Sequence, residues 1–584
     1  MNFAQTWRAK GTRFMHRYHA RKAAQADVST RFVAQQEPKT IGHFARGRQL
    51  IKGNFAFSGT QRRASGASIW TFAEDHPRLT AELHGFAWLD DLAAVGDLRA
   101  RETAQAWVLD WIARYGDGSS DGWTPACTGR RIIRLIHHGG FLMRGQSAEI
   151  SDVFLQSLGQ QTLFLSKRWP TTPPGLARFE ATTGMIIAGL ALEGMAAHVM
   201  PAVTALSEHC ASQIDANGGI PSRNPEELLT VFTLITWAHQ ALSTAGQTPP
   251  AALYQAMTNI APTLRALRHA DGSLARFHGG GRGLDGLLDH ALADSKVRAT
   301  PPDPAMLHMG FVRISAGRTS AVLDAAPPPN GANAENAHAS TLALELTSGR
   351  RPLIVNCGAG QSFGPDWRRN GRSTNAHSTL TLDNMSSTRL GTGQSTRSDG
   401  PQDVNAVFTT LADGKRQELS HDGYRKTHGL THARTIDIGA EGRGIVGEDI
   451  LVALEDADKS KLDGHLKRQN GALPFVIRFH LHPDVDATVD LGGTAVSMIL
   501  KSGEVWIFRC DATAPLALEP SVYLESGRIE PRATQQVVLS AAAIDYASRV
   551  RWSLVKAQDT PDALRDLVPN DLAGSYQSTS RGTS

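Results

Sequence analysis

The apolar residues of this chain change their spacing near residue 300, and this change constrains the fold more than any other feature of the sequence. Before it they recur every three or four positions, as in the run LTAELHGFAWLDDLAAV, where Leu79, Leu83 and Phe86 share one stripe. After it they alternate with polar residues, as in MGFVRISAGRTSAVLDA. The first spacing is typical of an α-helix and the second of a half-buried strand. Helices followed by strands predict separate domains, the second a layered antiparallel sheet.

The domain boundaries follow from breaks in composition. The proline-rich run ATPPDP, residues 299–304, marks a linker between the helical and the strand-rich parts. We expect a basic N-terminal segment over residues 1–40, a helical domain over 41–300, a sheet domain over 305–560 and a polar tail over 561–584. Periodicity alone leaves open whether the helices form a bundle, a solenoid or a closed toroid.

Composition places the chain among folded globular proteins. Its 584 residues are enough for two domains that each bury a core, and 41% of them are hydrophobic. A formal net charge of +4 is small for this length and argues against a nucleic-acid partner. The cysteines stand far apart with no CxxC pair, so we expect buried thiols and no disulfide framework. They are Cys127, Cys210, Cys357 and Cys510.

The first 32 residues are basic and place aromatic side chains, among them Trp7, Phe14 and Tyr18, between the charges. They lack the continuous apolar core of a secretory signal. A cytoplasmic location is therefore the default expectation, and a periplasmic one stays open. Two interpretations of the segment also stay open: a frayed or surface-lying helix, and a membrane-surface role.

The longest apolar run, residues 184–206, is interrupted by Glu193, His198 and Pro201. A membrane-spanning helix needs about 20 consecutive, predominantly apolar residues. We therefore expect a buried helix in this region and no transmembrane segment. The sequence makes no prediction of the oligomeric state.

Residues 333–387 hold two polar clusters, each centred on a histidine and each leading into a strand. His338 precedes one alternating run, and His377 precedes another. Between them the more continuously apolar run LIVN ends at Asn356. Strands that are neighbours in sequence tend to be neighbours in space. The two histidines and Asn356 are therefore predicted to meet in one site.

This stretch resembles the C-terminal sheet domain of the heparinase II/III family of polysaccharide lyases. Three elements occur in the family's order and spacing, with Ser340 and Asn356 standing where acids are usual. The elements are His338-Ala339-Ser340, Asn356-Cys357-Gly358 and Thr374-Asn375-Ala376-His377-Ser378-Thr379. Further runs look like family landmarks and extend the likeness over about residues 40–485: LHGFAWLDDL, DGWTPACTGRRIIRLIHH, ANGGIPSRNPEELL and HADGSLARFHGGG.

The resemblance implies an incomplete α/α toroid followed by an antiparallel layered β-sandwich. It also implies a carbon–oxygen lyase that cleaves a uronic-acid-containing polysaccharide by β-elimination. That reaction requires a group that neutralises the sugar carboxylate, a base that removes the C5 proton and an acid that protonates the leaving oxygen. His338 and His377 are candidate catalytic residues in the sheet domain.

Tyr424 is the candidate base. It lies in HDGYRKTHGLTHAR, close to His421, His428, His432 and Arg434. The family often has a similar His-x-Gly-Tyr element near its cleft. Neighbouring cations favour the phenolate that a base needs, and Arg434 is a candidate for binding the substrate. The alternative, a strand residue with its hydroxyl at a polar edge, stays open.

In the family, the helical domain supplies an asparagine or an Asn-His pair for the carboxylate and a tyrosine as base. Here Ala177 and Arg178 stand at the approximate positions of the pair, and Glu227 stands near the position of the tyrosine. Arg178, Arg223 and Asn224 are candidates for clamping a carboxylate, arginine through a bidentate fork. Alternatively, Arg223 and Asn224 cap the helix that follows them.

No cofactor is required for this chemistry. In relatives, the region of the two histidines can bind a structural zinc through two histidines and an aspartate. Asn356 replaces that aspartate and removes an anionic ligand. We therefore favour no metal and leave open a structural zinc on His338, Asn356 and His377. His480 and His482 face one side of a strand, which alone is weak evidence for a metal.

Two function classes follow. The first is a polysaccharide lyase-like protein that acts on a uronate-containing glycan. The second is a non-catalytic acidic-glycan-binding or exopolysaccharide-related protein with a degenerate lyase site. The expected partner in both is an acidic polysaccharide or oligosaccharide. A hydrolase would need two carboxylates facing across a cleft, and nothing in the spacing pairs the available Glu180 and Asp285.

Overall fold

The computed structural model describes residues 3–561 except 29, 34–36, 65, 73–76, 299, 392–398, 526–527 and 529. From residue 562 onward, the predicted polar tail lies outside the described residues. The chain forms two compact units. The helical unit contains Met1–Ile214 and Thr230–Thr258, and the sheet unit contains Asp215–Leu229 and Asn259–Pro569.

Among the described residues of the first half, the regular structure is helical apart from one short hairpin. Its helices are α1 Phe3–Ala24, α2 Phe44–Ile51, α3 Pro77–His84, α4 Ala87–Val95, α5 Leu98–Tyr115, α6 Pro125–His137, α7 Gly139–Met143, α8 Ala148–Arg168, α9 Leu176–Ala191, α10 Val199–Gln213, α11 Pro225–Thr244, α12 Ala251–Ala266 and α13 Leu287–Asp294. The hairpin strands are β1 Asn54–Phe57 and β2 Thr60–Arg63. Side chains set several helix starts: Asp97, Thr124 and Ser147 each accept the backbone N–H three residues ahead.

Two glycines set the approach of α6 to α9 in the helical unit. A Cβ at Gly129 would lie 2.4 Å from the carbonyl oxygen of Glu180. A Cβ at Gly184 would lie 2.6 Å from Gly129 Cα. Both distances are far below van der Waals contact, so any side chain at either position would push the two helices apart.

The apolar run over residues 184–206 folds as the end of α9 and the start of α10, with a break between Leu192 and His198. Most of its apolar side chains are buried, including Met185, Val203 and Leu206. Within the described ranges, no helix is long and apolar enough to cross a membrane.

The second half of the chain forms strands, beginning at Phe311. They are β3 Phe311–Ala316, β4 Thr319–Asp324, β5 Leu344–Ser348, β6 Arg351–Val355, β7 Leu380–Leu382, β8 Val404–Leu411, β9 Gly414–Tyr424, β10 Leu430–Gly439, β11 Gly444–Val452, β12 Leu473–Leu481, β13 Asp486–Asp490, β14 Ala495–Ile499, β15 Val505–Cys510, β16 Leu516–Tyr523, β17 Arg532–Ala543 and β18 Ala547–Gln558. Short helices interrupt them: α14 Pro365–Gly371, α15 Arg425–His428 and α16 Asp456–Arg468.

These strands form two antiparallel sheets. The first sheet has the order β16-β17-β12-β6-β5-β4-β3, with β7 paired to β12. The second sheet has the order β13-β14-β15-β18-β11-β10-β9-β8. The prediction of helices before about residue 300 and layered antiparallel strands after about residue 305 is confirmed. The sheet unit also takes in residues 215–229 and 259–298, which precede the linker.

An apolar core fills the space between the two sheets. On β10, every second residue from Leu430 to Ile438 is buried, which is the period expected of a strand with one face in a core. Phe479 of the first sheet contacts Phe508 of the second, with ring centroids 5.0 Å apart. Phe508 in turn stacks on Trp552. Interdigitating rings of this kind hold the two layers at a fixed separation.

A fully buried ion pair lies inside this core. Arg434 Nε donates to Asp449 Oδ1 at 2.8 Å, and Trp552 Nε1 donates to Asp449 Oδ2 at 2.9 Å. Arg434 Nη1 also donates to the carbonyl oxygens of Leu342 and Ser378, each at 2.9 Å. Those two carbonyls belong to the segments that enter β5 and β7 of the first sheet. A single guanidinium therefore ties one sheet to the other.

Replacing Asp449 with leucine should lower the free energy of unfolding of the sheet unit by about 3–5 kcal/mol, because Arg434 would stay buried without its counter-charge. Urea denaturation followed by circular dichroism measures the loss. Asp437→Leu is the matched control, since Asp437 pairs with Arg416 on the partly exposed outer face of the same sheet; its loss should stay below about 1 kcal/mol. Equal losses in the two variants would contradict the role given to the buried pair.

Candidate functional site

The carboxylate of Asp324, at the end of β4, is fully buried and joins three other segments of the sheet unit. Arg223 Nη2 donates to Oδ1 at 2.5 Å, and Ser340 Oγ donates to Oδ2 at 2.6 Å. His278 Nε2 lies 3.5 Å from Oδ2. Burial alone would raise the pKa of Asp324, but the Arg223 charge and these contacts lower it below its usual range. The group is therefore a fixed negative charge.

Strained backbone surrounds this carboxylate. Arg223, His278, Met309 and Leu342 all have positive φ, between 47° and 66°, a region that non-glycine residues rarely adopt. Each is connected to the Asp324 cluster: Arg223 and His278 through their side chains, Met309 by accepting from Arg223 Nε at 3.0 Å, and Leu342 by donating its N–H to the Asp324 carbonyl at 2.8 Å. Strain of this kind persists only where surrounding contacts enforce it, and it concentrates at functional sites.

His338 and His377 meet in this cluster, as predicted from their positions before neighbouring strands. His338 Nδ1 lies 3.0 Å from His377 Nε2. The backbone N–H of Gly279 donates to His338 Nε2 at 3.1 Å, and His377 Nδ1 donates to the Ser373 carbonyl at 2.7 Å. The backbone N–H of His338 donates to His278 Nδ1 at 3.1 Å, which links the pair to Asp324.

These partners fix the hydrogens on both rings. The Ser373 carbonyl can only accept, so His377 carries its hydrogen on Nδ1 and accepts at Nε2. The Gly279 N–H can only donate, so His338 accepts at Nε2 and donates from Nδ1 to His377. All four ring nitrogens are therefore occupied by protein groups.

Both histidines are kept neutral. Burial, followed by the neighbouring positive groups, holds the pKa of His338 well below its usual value. Burial lowers the pKa of His377 to about 4. Neither side chain exposes more than 1% of its surface. A general acid at neutral pH needs a proton to give, and this environment disfavours one on either ring.

Asn356 does not complete a metal site with these histidines. Its Nδ2 donates to Glu345 Oε1 at 3.3 Å, and its Oδ1 accepts the Ser378 N–H at 2.9 Å. Among the described residues, no group of three or more histidine, cysteine, aspartate or glutamate side chains is placed to hold a metal ion. The arrangement therefore does not fit the three-ligand zinc site on His338, Asn356 and His377.

Glu345 is a second buried acid in the same unit. Its Oε2 lies 3.1 Å from His269 Nε2 and accepts the Arg276 N–H at 3.0 Å. Burial would raise its pKa, but His269 and Arg276 lower it. Glu345, Asp324 and His278 were not predicted as site residues. Two of them had a signal in the sequence: Asp324 ends an alternating run, and His278 lies inside the landmark HADGSLARFHGGG.

Tyr424 lies inside the sheet unit rather than at a cleft. Its hydroxyl donates to the carbonyl oxygens of Leu380 at 3.1 Å and Met385 at 3.4 Å, and 1% of the residue is exposed. Burial raises the pKa of Tyr424 above its usual value. The expectation that nearby cations favour its phenolate is therefore wrong, because burial dominates and the cation that does favour the phenolate, Arg478, lies outside the run that carries Tyr424.

The predicted substrate-binding residues of the sheet unit already have protein partners. Arg434 is fully buried in the core ion pair described above. Asn224 Oδ1 accepts the N–H groups of Glu226 and Glu227, which is the helix-cap alternative. The Arg223 guanidinium lies 4.7 Å over the Phe311 ring. Besides Asp324, its donors reach the carbonyl oxygens of Met309, Gly310, Ala326 and Pro327.

In the helical unit, the candidate Arg178 is half-buried near the start of α9. Its Nε donates to the Thr172 carbonyl at 2.9 Å, and its Nη2 also donates to that oxygen. The guanidinium thus holds the loop that precedes its own helix. Its proposed role in clamping a carboxylate stays a prediction.

A half-buried polar patch lies beside the histidine pair, and sequence analysis did not single it out. We define the Asn336 patch as Asn336, Gln361, Arg368 and Arg372. A Cβ at Gly279 would lie 2.8 Å from Asn336 Cβ, so the residue that donates to His338 also touches the patch. Gln361 Nε2 donates to Asn336 Oδ1, and Arg368 Nη2 lies 3.5 Å from the same oxygen. The signal was the cationic run WRRNGR, residues 367–372.

Acid should destabilise the sheet unit through His377. Because the folded pKa is about 4 and the ordinary value is 6.5, its contribution is fully present above about pH 6.5 and is lost as pH falls toward 4. The full loss is on the order of 3 kcal/mol, and about 2 kcal/mol of it falls between pH 7 and pH 5. Comparing the free energy of unfolding of the native chain and His377→Gln at pH 7 and pH 5 measures that part. The native chain should lose more than the variant.

The matched control is His290→Gln, since the His290 side chain on α13 is 45% exposed. That variant should keep the full pH dependence of the native chain. A His377→Gln chain with an unchanged pH dependence would show that His377 is not held neutral in the fold.

Comparisons with known proteins agree with this architecture. Residues 298–553 match the family model "Heparinase II/III-like, C-terminal". A curated relative, FtsZ-localized protein C of Caulobacter vibrioides, is 29% identical over 539 residues, which cover 88% of each chain. The crystal structure of Heparinase III superposes with a TM-score of 0.68 at 13% identity, over 94% of this chain and 91% of that one. A mutant of heparan sulfate lyase HepC from Pedobacter heparinus gives a TM-score of 0.56 at 15% identity, over 94% and 89%.

The structural matches have low sequence identity, so they show a shared fold. That fold is the α/α toroid followed by a β-sandwich, as the resemblance implied. The family model covers the sheets that carry His338, His377 and Asp324. Residues 298–553 therefore match the heparinase II/III-like C-terminal domain, and the chain shares the fold of Heparinase III.

Proposed function

We propose that this chain uses its heparinase-like fold to bind an acidic, uronate-containing polysaccharide without cleaving it. The observation that carries the proposal is the closed hydrogen-bond chain through Gly279, His338, His377 and Ser373, which leaves no ring nitrogen for a substrate. A base or acid must come within hydrogen-bond reach of the proton it transfers. In this site, protein groups already occupy the positions from which a substrate could form such a hydrogen bond.

The other residues predicted to take part in β-elimination also argue against cleavage. The Tyr424 hydroxyl is buried on backbone carbonyls, and burial raises its pKa. Ala177 and Arg178 stand where the family resemblance implies the carboxylate-neutralising pair, and Glu227 stands near the implied tyrosine. Among the described candidates, none combines access to solvent with a proton-transfer group in a suitable state.

The Asn336 patch supports binding. It places two amides and two guanidinium groups at a half-buried surface. Arginine forms bidentate hydrogen bonds with carboxylates, and amides bond to hydroxyl groups, so this set suits a sugar that carries a carboxylate. Arg372 Nε is anchored on the Ala337 carbonyl at 2.7 Å, and Arg368 Nη2 on the Glu335 carbonyl at 2.9 Å. These anchors orient the guanidinium groups before a ligand arrives.

The native chain should bind at least one acidic polysaccharide and produce no unsaturated uronate from it. The test panel is glucuronan, bacterial exopolysaccharides, glycosaminoglycans and alginate. Binding is measured by isothermal titration calorimetry, and cleavage by the ultraviolet absorbance of the new double bond. A rise in that absorbance would show cleavage and would favour the lyase function instead. Tyr424→Phe would then locate the base, since loss of a general base typically costs about 10²- to 10⁴-fold in rate.

Replacing Arg368 with alanine should weaken polysaccharide binding about tenfold or more, because a charge-assisted hydrogen bond to a carboxylate contributes about 1.5–3 kcal/mol. Arg369→Ala is the matched control on the same helix. Arg369 is 70% exposed and pairs with Asp366 on the solvent side of α14. Its Kd should stay within about twofold of the native value. Equal effects of the two variants would remove the patch from the binding site.

A further inference from the structure

The first helix of the chain, α1, presents aromatic side chains to solvent. Phe14 is 67% exposed and Tyr18 is 51% exposed, although large apolar side chains are usually buried. The two residues are four positions apart, so they are neighbours on one face of the helix. Met15, 38% exposed, lies beside them.

The opposite face of α1 is the one that packs on the helical unit. Ala20 and Ala23 are buried, and His16 Nδ1 accepts from Arg168 Nε of α8 at 3.1 Å. At about 100° per residue, Phe14 and Tyr18 both lie about 160° around the helix from His16. The aromatic pair therefore points directly away from the body of the unit.

The outward face is also cationic. The α1 segment, residues 3–24, contains six Lys and Arg residues and no Asp or Glu. Lys10, Arg21 and Lys22 flank the aromatic pair and are exposed. Within the described part of the chain, none of these three has a carboxylate partner. Arg17, about 60° around the helix from Phe14, pairs with Asp121 at 2.8 Å.

We propose that α1 lies on an anionic phospholipid surface, with Phe14, Tyr18 and Met15 at the headgroup boundary and the flanking cations on lipid phosphates. Interfacial helices combine an apolar strip with lysine and arginine, and aromatic rings favour the headgroup level. No described helix is long and apolar enough to span the bilayer, so the helix would lie in the interface plane.

Charge and shape favour a lipid surface over two other possible partners of α1, a second copy of the chain and a soluble polyanion. A second copy of α1 would bring like charges together, because the segment has no acidic residue. A soluble polyanion would satisfy the cations and leave Phe14 and Tyr18 in water. A bilayer of anionic lipid covers both kinds of side chain at once, and each Lys or Arg near its surface strengthens binding about fivefold.

Vesicle flotation of the full chain tests the proposal. The chain should float with vesicles of phosphatidylcholine and phosphatidylglycerol, and not with phosphatidylcholine alone. The double variant Phe14→Ser/Tyr18→Ser should lower partitioning about tenfold or more, because it removes the apolar area. The triple variant Lys10→Glu/Arg21→Glu/Lys22→Glu should lower it by about a hundredfold. All five positions face solvent, and circular dichroism checks that the variants fold.

The matched control is Met200→Ser/Tyr254→Ser, which removes two exposed apolar side chains, 60% and 49% exposed, from α10 and α12 of the same unit. It should partition like the native chain. The proposal would be overturned if the native chain did not float, or if it floated equally well with neutral vesicles. It would also be overturned if either α1 variant floated as well as the native chain. Titration with soluble acidic polysaccharide keeps this test separate from the glycan proposal, because Phe14→Ser/Tyr18→Ser should leave that Kd unchanged.

Discussion

The buried carboxylate of Asp324 is the constraint on which the centre of the sheet unit depends. A charge without water must be paired and hydrogen-bonded, or the fold loses several kcal/mol. Arg223, Ser340 and His278 meet that requirement from three separate segments. Arg223 and His278 have positive φ, as does Leu342, whose N–H donates to the Asp324 carbonyl. The geometry around the histidines is therefore set by charge compensation first.

This origin explains the state of His338 and His377. His278 accepts the His338 N–H, so the loop that serves Asp324 also positions the first ring of the pair. The hydrogen bonds that follow all run in one direction: His338 donates to His377, and His377 donates to the Ser373 carbonyl. Such a chain is rigid and neutral, which stabilises a core but is unsuited to exchanging protons with a ligand. Polar residues at a family's usual site positions can thus be retained for packing.

Sequence patterns predicted the architecture because the period of burial is local. The helix-to-strand switch follows from it, and the meeting of His338 with His377 follows from the tendency of strands close in sequence to lie close in space. The surroundings of a side chain in the folded protein are not set by its neighbours in sequence. Tyr424 has cationic neighbours in sequence, yet its ring lies inside the sheet unit, and burial decides its pKa. Arg434 carried an unused signal, since it shares the inward alternation of β10 with Ile436 and Ile438. Asp324 and His278 come from distant segments, so only tertiary structure joins them.

The structural boundary of the sheet unit does not coincide with the linker in the sequence. Residues 215–229 and 259–298 precede the linker, yet they group with the strands and carry Arg223 and His278 to Asp324. Recombination at residues 299–304 would give each product only part of a charge network, with Asp324 buried and unpaired in one of them. A fragment that begins at this linker would lack both Arg223 and His278. A fragment that keeps the whole network must begin before Arg223.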